Sequence, residues 1–245
     1  MTRSTRTGGL PDSRLGCLRW GSRRGGALTP MESATVAREL VSAQLTGLPQ
    51  TLRRRLGAGR AKEAAVLSVG TPPDSAITRR ARDVAAECSA QPLLLHSLRC
   101  WYWADLFAKL DDVEHDTELL YLACILHDIG LSERYRPALA DDCRCFAIGG
   151  ARQARQLLLN EGIEAGVATR VADAIALHFN PSVAVALGAE AHLLHAAAQL
   201  DVAGVRAHDL PRRTRDEVVA LLPRDRFVAA FGRAMQREAI ERPRS

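Results

Sequence analysis

From Glu118 to Leu126 the chain reads Glu-Leu-Leu-Tyr-Leu-Ala-Cys-Ile-Leu, and His127-Asp128-Ile-Gly130 follows without a break. A helix of this composition is apolar on every side, so it belongs in the middle of a helical bundle and not on its surface. Two ionisable side chains then end it inside that bundle. Burying an isolated charge is costly, so the adjacent imidazole and carboxylate require a shared partner, and a divalent cation is the simplest one. Asp116 is the expected N-cap, and Gly130 the expected left-handed residue that stops the helix.

The rest of the chain supports the same architecture. Helical periodicity recurs at about 75–89, 92–110, 117–128, 146–161, 164–178, 188–203, 211–222 and 224–240, with short connectors and no alternating strand pattern between them. The expected fold is therefore all-α, a helical bundle. The domain organisation expected is a disordered Arg-rich tail over 1–30, a helical extension over 31–70, the bundle proper over 71–206, and C-terminal helices over 207–245 packing on it. Within the extension, Ser33 to Gly47 reads as an amphipathic helix and 49–56 as a shorter one. No Gly-rich phosphate loop or dinucleotide fingerprint is present.

Further ionisable residues sit on apolar helix faces. His96 shares its face with Cys100, Trp103 and Phe107. His178 ends a helix behind Val171, Ala174 and Ile175, and Asp201 ends another behind Leu193, Leu194 and Ala197. Groups on separate helices, three of them close to helix ends, can converge in the centre of a bundle. His96, His127, Asp128 and Asp201 would form a set of two nitrogen and two oxygen ligands, acceptable to Zn, Mn, Fe, Co or Ni. His192 and His195, three residues apart on a more mixed face, are expected to hydrogen-bond and not to hold a second ion.

The order His96, His127-Asp128-Ile-Gly130, Asp201 resembles the H…HD…D signature of the HD-domain superfamily of metal-dependent hydrolases. Within it, Leu95-His-Ser-Leu-Arg99, Leu119 to Leu131, Ala174-Ile-Ala-Leu-His178 and Leu200-Asp-Val-Ala-Gly204 look like the branch that contains cyanamide hydratases. The likeness covers roughly residues 72 to 206. It implies an HD-domain helical bundle with one divalent transition metal on His96, His127, Asp128 and Asp201, and an activated water that attacks a small molecule. Asp128 would ligate the ion and orient or deprotonate the water. For a phosphate substrate Arg99 would hold non-bridging oxygens; for a nitrile His178 would shuttle the proton to nitrogen. Where the branch often carries Asn before the first His, this chain has Leu95.

A hydratase of the cyanamide type is the first functional expectation, a nucleotide or phosphoester phosphohydrolase the second, and a metal-stabilised, non-catalytic regulatory module the third. Charge bears on partners. The formal net charge is +5, yet residues 1–30 hold six arginines against Asp12, which leaves 27 basic and 27 acidic residues elsewhere. A neutral body lacks the cationic surface that phosphate backbones need, so a small-molecule partner is expected and nucleic acid is not. The most apolar long run, 183–200, is interrupted by Glu190, His192 and His195, so no membrane span is expected. Six cysteines without a CxxC pair read as reduced thiols and point to the cytoplasm. The Arg-rich start reads as a tail, or as the product of a true start at Met31.

Overall fold

The computed structural model describes residues 16–36, 38, 67–138 and 145–243. Among these every regular element is helical: α1 (Leu18–Arg24), α2 (Ala76–Cys88), α3 (Gln91–Asp111), α4 (Thr117–Leu126), α5 (Phe146–Asn160), α6 (Ala165–Leu177), α7 (Ala189–Ala203), α8 (Arg212–Leu221) and α9 (Phe227–Glu241). Three short 3-10 turns follow α4, α6 and α7. Residues 30–36 are also helical. The rest of the helical extension expected over 31–70, up to residue 66, lies outside the described residues apart from residue 38.

Local signals set most of these boundaries. Ser75 caps α2 through a reciprocal box with Thr78, after two prolines. Pro92 opens α3, and Asp112 ends it in the left-handed conformation at φ 53°. Asp116 caps α4 by accepting from the Leu119 amide at 3.0 Å. All eight residues from Leu119 to Leu126 are buried, and the helix packs against α2, α3, α6 and α7. It is the central rod of the bundle.

Gly130 departs from the expectation. It has no left-handed φ; it lies in the 3-10 turn that replaces the last turn of the helix. A Cβ there would fall 2.1 Å from the Phe146 carbonyl oxygen and 2.9 Å from the Gly150 amide nitrogen. The glycine is required because α5 passes directly against the turn, so that Gly130 and Gly150 meet backbone to backbone. This contact fixes where His127 and Asp128 leave α4.

The N-terminal region also differs from the expected tail. Cys17, Leu18 and Trp20 are buried, and α1 lies on α5 and α6. Arg152 donates to the Gly21 carbonyl at 3.2 Å, and the Trp20 indole donates to Glu32 at 3.1 Å. Average composition concealed two large apolar side chains in an Arg- and Gly-rich context, sufficient to dock one short helix.

At the other end, α9 crosses the bundle beside α3. Its last turn is held by buried ion pairs: Glu238 accepts from Arg136 at 3.0 Å and from Arg242 at 2.7 Å. Removing either arginine would leave a buried carboxylate short of a partner. This anchoring sets Phe227, Phe231 and Met235 over the site described next.

Candidate metal centre

Three imidazoles and one carboxylate meet where α3, the end of α4 and the end of α6 converge. His96 Nε2 and His127 Nε2 stand 3.2 Å apart. Asp128 Oδ2 lies 3.3 Å from His127 Nε2 and 3.6 Å from His96 Nε2, and Asp128 Oδ1 lies 3.8 Å from His178 Nε2. All four residues are buried. Such spacings are those of ligands that share one ion, whose own bonds to nitrogen and oxygen are about 2.0–2.2 Å.

The proton inventory supports the same conclusion. His127 Nδ1 donates to the Cys124 carbonyl at 2.7 Å, His178 Nδ1 to the Ile175 carbonyl at 2.6 Å, and His96 Nδ1 to Asp201 Oδ2 at 2.7 Å. Each ring is thereby fixed with its proton on Nδ1, leaving three Nε2 lone pairs directed at one another and at a carboxylate. Asp128 Oδ2 is buried with no hydrogen-bond partner. Four acceptors without a donor repel, and a divalent cation removes the conflict. The residues present fit one.

The electrostatics follow from burial and from this mutual proximity. Burial lowers His178 to about 4, aided by the nearby His127. Burial also lowers His96, more than its bond to Asp201 raises it. His127 moves the other way, because the Asp128 carboxylate and the Cys124 carbonyl outweigh its desolvation. Asp128 is held well below the ordinary carboxylate range, since the three imidazoles outweigh burial. Cys100 Sγ lies 3.7 Å from the His96 ring nitrogens, with its thiol pushed up by burial.

Two residues expected in the site are placed elsewhere. Asp201, implied as the fourth ligand, sits behind His96, on its Nδ1 side. Its Oδ1 accepts from Arg99 Nε at 2.9 Å, Trp103 Nε1 at 2.8 Å and Arg224 at 3.2 Å; its Oδ2 accepts from Arg99 at 2.8 Å as well as from His96. With both oxygens saturated by N–H donors, Asp201 directs no free oxygen toward the cage. Arg99, implied as a phosphate binder, is fully buried; beyond Asp201 it reaches the carbonyls of Leu222 and Pro223 at 3.3 and 2.9 Å. It does not line the cavity beside the cage. His178, implied as a proton shuttle, is brought into the cage itself.

Other expectations resolve locally. His192 donates to the Val183 carbonyl at 2.7 Å and His195 to the His178 carbonyl at 2.9 Å, so both rings tie the connector after α6 to α7.

A cavity of about 230 Å³ opens onto the cage. Beyond His96, His127, Asp128 and His178 it is lined by Phe179, Ala198, Gln199, Val202, Phe231 and Met235. No Lys or Arg lines it among the described residues. Leu95 is half-buried and is not part of this wall. Phe227 seals the back by stacking on His96, with ring centroids 4.7 Å apart and planes 21° apart. Sequence reasoning did not single out Phe227, Phe231 or Met235; they carry no motif, and only the docking of α9 brings them here.

An all-helical bundle with a carboxylate-oriented histidine and an adjacent His-Asp pair defines a metal-dependent hydrolase or hydratase, and the chain belongs to the HD domain family, whose model matches residues 93–217. Among curated relatives it is 27% identical over 182 residues to cyanamide hydratase DDI2 of Saccharomyces cerevisiae and, equally, to cyanamide hydratase DDI3 of the same yeast. The match covers 72% of this chain and 78% of each relative. Among the described residues no helix is long and apolar enough to cross a membrane.

Proposed function

We propose that this protein hydrates a small, uncharged molecule with a polarised carbon–nitrogen multiple bond, cyanamide being the first substrate to test. The carrying observation is the cavity: about 230 Å³, walled by apolar side chains, with Gln199 as the one polar residue beyond the cage among those described. Drug-sized and nucleotide-sized ligands occupy about 300–1,000 Å³. A phosphoester would also require cationic groups at its oxygens, and the nearest arginine by sequence, Arg99, is already committed to Asp201. The named activity of the yeast relatives supports the same reading.

The residues proposed to hold one divalent transition ion (Zn, Mn, Fe, Co or Ni) are His96, His127, Asp128 and His178, with Asp201 holding His96 in register. Bound there, the ion would supply a water acidic enough to ionise near neutral pH. Asp128 offers one oxygen to orient that water. With His178 committed to the ion through Nε2, the carboxylate of Asp128 would take the proton released on attack and deliver it to the substrate nitrogen. The apolar walls exclude competing solvent, and Gln199 can hydrogen-bond the amino group of a substrate of cyanamide size. We place the protein in the cytosol, in keeping with its free cysteines, acting on a small molecule without nucleic acid.

The test is a paired assay on protein loaded with each metal. Urea formation from cyanamide is expected, without phosphate release from a nucleotide panel; phosphate release without urea would replace this reading with a phosphohydrolase. A stoichiometric ion that raises the melting temperature, with no turnover of either substrate class, would identify a structural metal in a regulatory module.

A further inference from the structure

On the far side of Asp201 from the cage lies a second and larger cavity, about 500 Å³, bounded by α3, α7 and α8. Its walls include Trp103, Leu200 and Val219, and three charged side chains: Arg215, Asp216 and Arg224. The charges do not balance. Arg215 Nε is buried with no hydrogen-bond partner. The neighbouring carboxylates are engaged elsewhere, Asp216 with Arg212 at 3.6 Å and Glu217 with Arg213 at 3.1 Å. Arg224, one-third exposed, gives one nitrogen to Asp201 Oδ1 at 3.2 Å. Asp201 already carries a bidentate bond from Arg99, so it does not neutralise Arg224 as well. Two guanidiniums facing a concave, largely apolar space with one diverted carboxylate call for an anion.

We propose that this cavity is a second binding site, for a small organic carboxylate with an apolar body, and that its occupancy is sensed at the metal cage through Arg224 and Asp201. The carboxylate would lie between Arg215 and Arg224 with its apolar part against Trp103 and Val219. Drawing Arg224 toward the ligand removes one of the donors that hold Asp201 Oδ1. The negative charge on Asp201 then bears more fully on the Nδ1 proton of His96, which makes Nε2 a stronger base and the cage a tighter metal site.

Benzoate is a suitable probe, with benzamide as its uncharged analogue and inorganic phosphate as a compact anion. In calorimetric titrations of the full chain, metal-loaded and metal-stripped, benzoate is expected to bind saturably in both states. Arg215→Gln, checked for folding by its thermal transition, should weaken it by about ten-fold or more, and benzamide should give no saturable heat. In a chelator competition, saturating benzoate should lower the Zn dissociation constant by about five-fold or more. Equal benzoate affinity in Arg215→Gln, equal binding of benzamide, phosphate binding more tightly than benzoate, or no saturation at about 10 mM would each overturn the carboxylate site. Binding lost with the metal would assign benzoate to the cage instead. An unchanged Zn dissociation constant would overturn the coupling.

Discussion

Asp128 and Asp201 are both buried aspartates within reach of His96, and the protein treats them in opposite ways. Asp201 meets a bidentate arginine, a second arginine, an indole and an imidazole N–H, so its charge is matched by donors. Asp128 meets three imidazole nitrogens whose protons point away, and one of its oxygens meets no donor. The comparison separates a carboxylate whose charge is matched by donors from one that faces imidazole lone pairs. Burial alone distinguishes neither; what matters is whether the surrounding groups bring protons or lone pairs.

The largest effect that would break this contrast is Asp128→Asn. Activity should fall by about three orders of magnitude or more, because the cage loses its only charge and the activated water its basic carboxylate. In metal-stripped protein the same change should raise the unfolding midpoint, since the new amide N–H groups can donate to the bare imidazole nitrogens. Calorimetric melting of stripped and loaded forms reads both outcomes; a stripped variant that melts lower would contradict the lone-pair picture.

Asp201→Asn should do the reverse. Leaving the Arg99 guanidinium buried without a counter-charge should cost about 3–5 kcal/mol, a drop in melting temperature of roughly 6–20 °C for a chain of this size. Metal affinity should weaken by about 10–100-fold as His96 loses its orienting partner. Zn titration together with urea unfolding separates the two effects. An unchanged melting temperature would mean that Arg99 finds other partners.

A smaller loss is expected for Arg99→Lys. It keeps the charge but not the fork that grips both oxygens of Asp201 and the carbonyls of Leu222 and Pro223. About 1.5–3 kcal/mol of stability should go, with activity following metal content. Activity lost in fully metal-loaded, folded protein would reinstate Arg99 as a substrate contact.

The smallest effect is in pH dependence. The His96 and Arg99 bonds outweigh desolvation and hold the Asp201 carboxyl below its ordinary range. The folded state therefore binds this proton less readily than the unfolded chain. Its stabilising contribution is complete above the ordinary carboxylate pKa and fades as pH falls through that value toward the folded one. Urea unfolding of metal-stripped protein between about pH 5 and pH 3 should show a stability slope that Asp201→Asn flattens. An undiminished slope would assign the acid sensitivity to other carboxylates.

The bundle itself was legible because its signals are local. An apolar helix from Leu119 to Leu126, the caps at Ser75 and Asp116, the prolines ahead of α2 and the proline in the first turn of α3 each act within a few residues, so periodicity placed the helices close to where they lie. The His96, His127 and Asp128 convergence was likewise readable from helix faces. α1 was missed because an average over thirty residues hides a Leu and a Trp that find a groove. Gly130 was read as a helix stop on sequence grounds alone, when the decisive contact was with Gly150.

What the chain by itself determined is the kind of chemistry: three imidazoles and two carboxylates facing the core of a helical bundle, polar groups that burial leaves in need of partners. Which groups each carboxylate meets was decided only by tertiary packing. Arg99, Trp103 and Arg224 lie 102, 98 and 23 residues from Asp201, and their N–H groups saturate its oxygens on one side of His96. His178 arrives on the other side, and α9 closes the cavity above it. A face pattern says that a side chain points inward, but the partners waiting there come from distant segments, and those partners determine whether it binds an ion or anchors a helix.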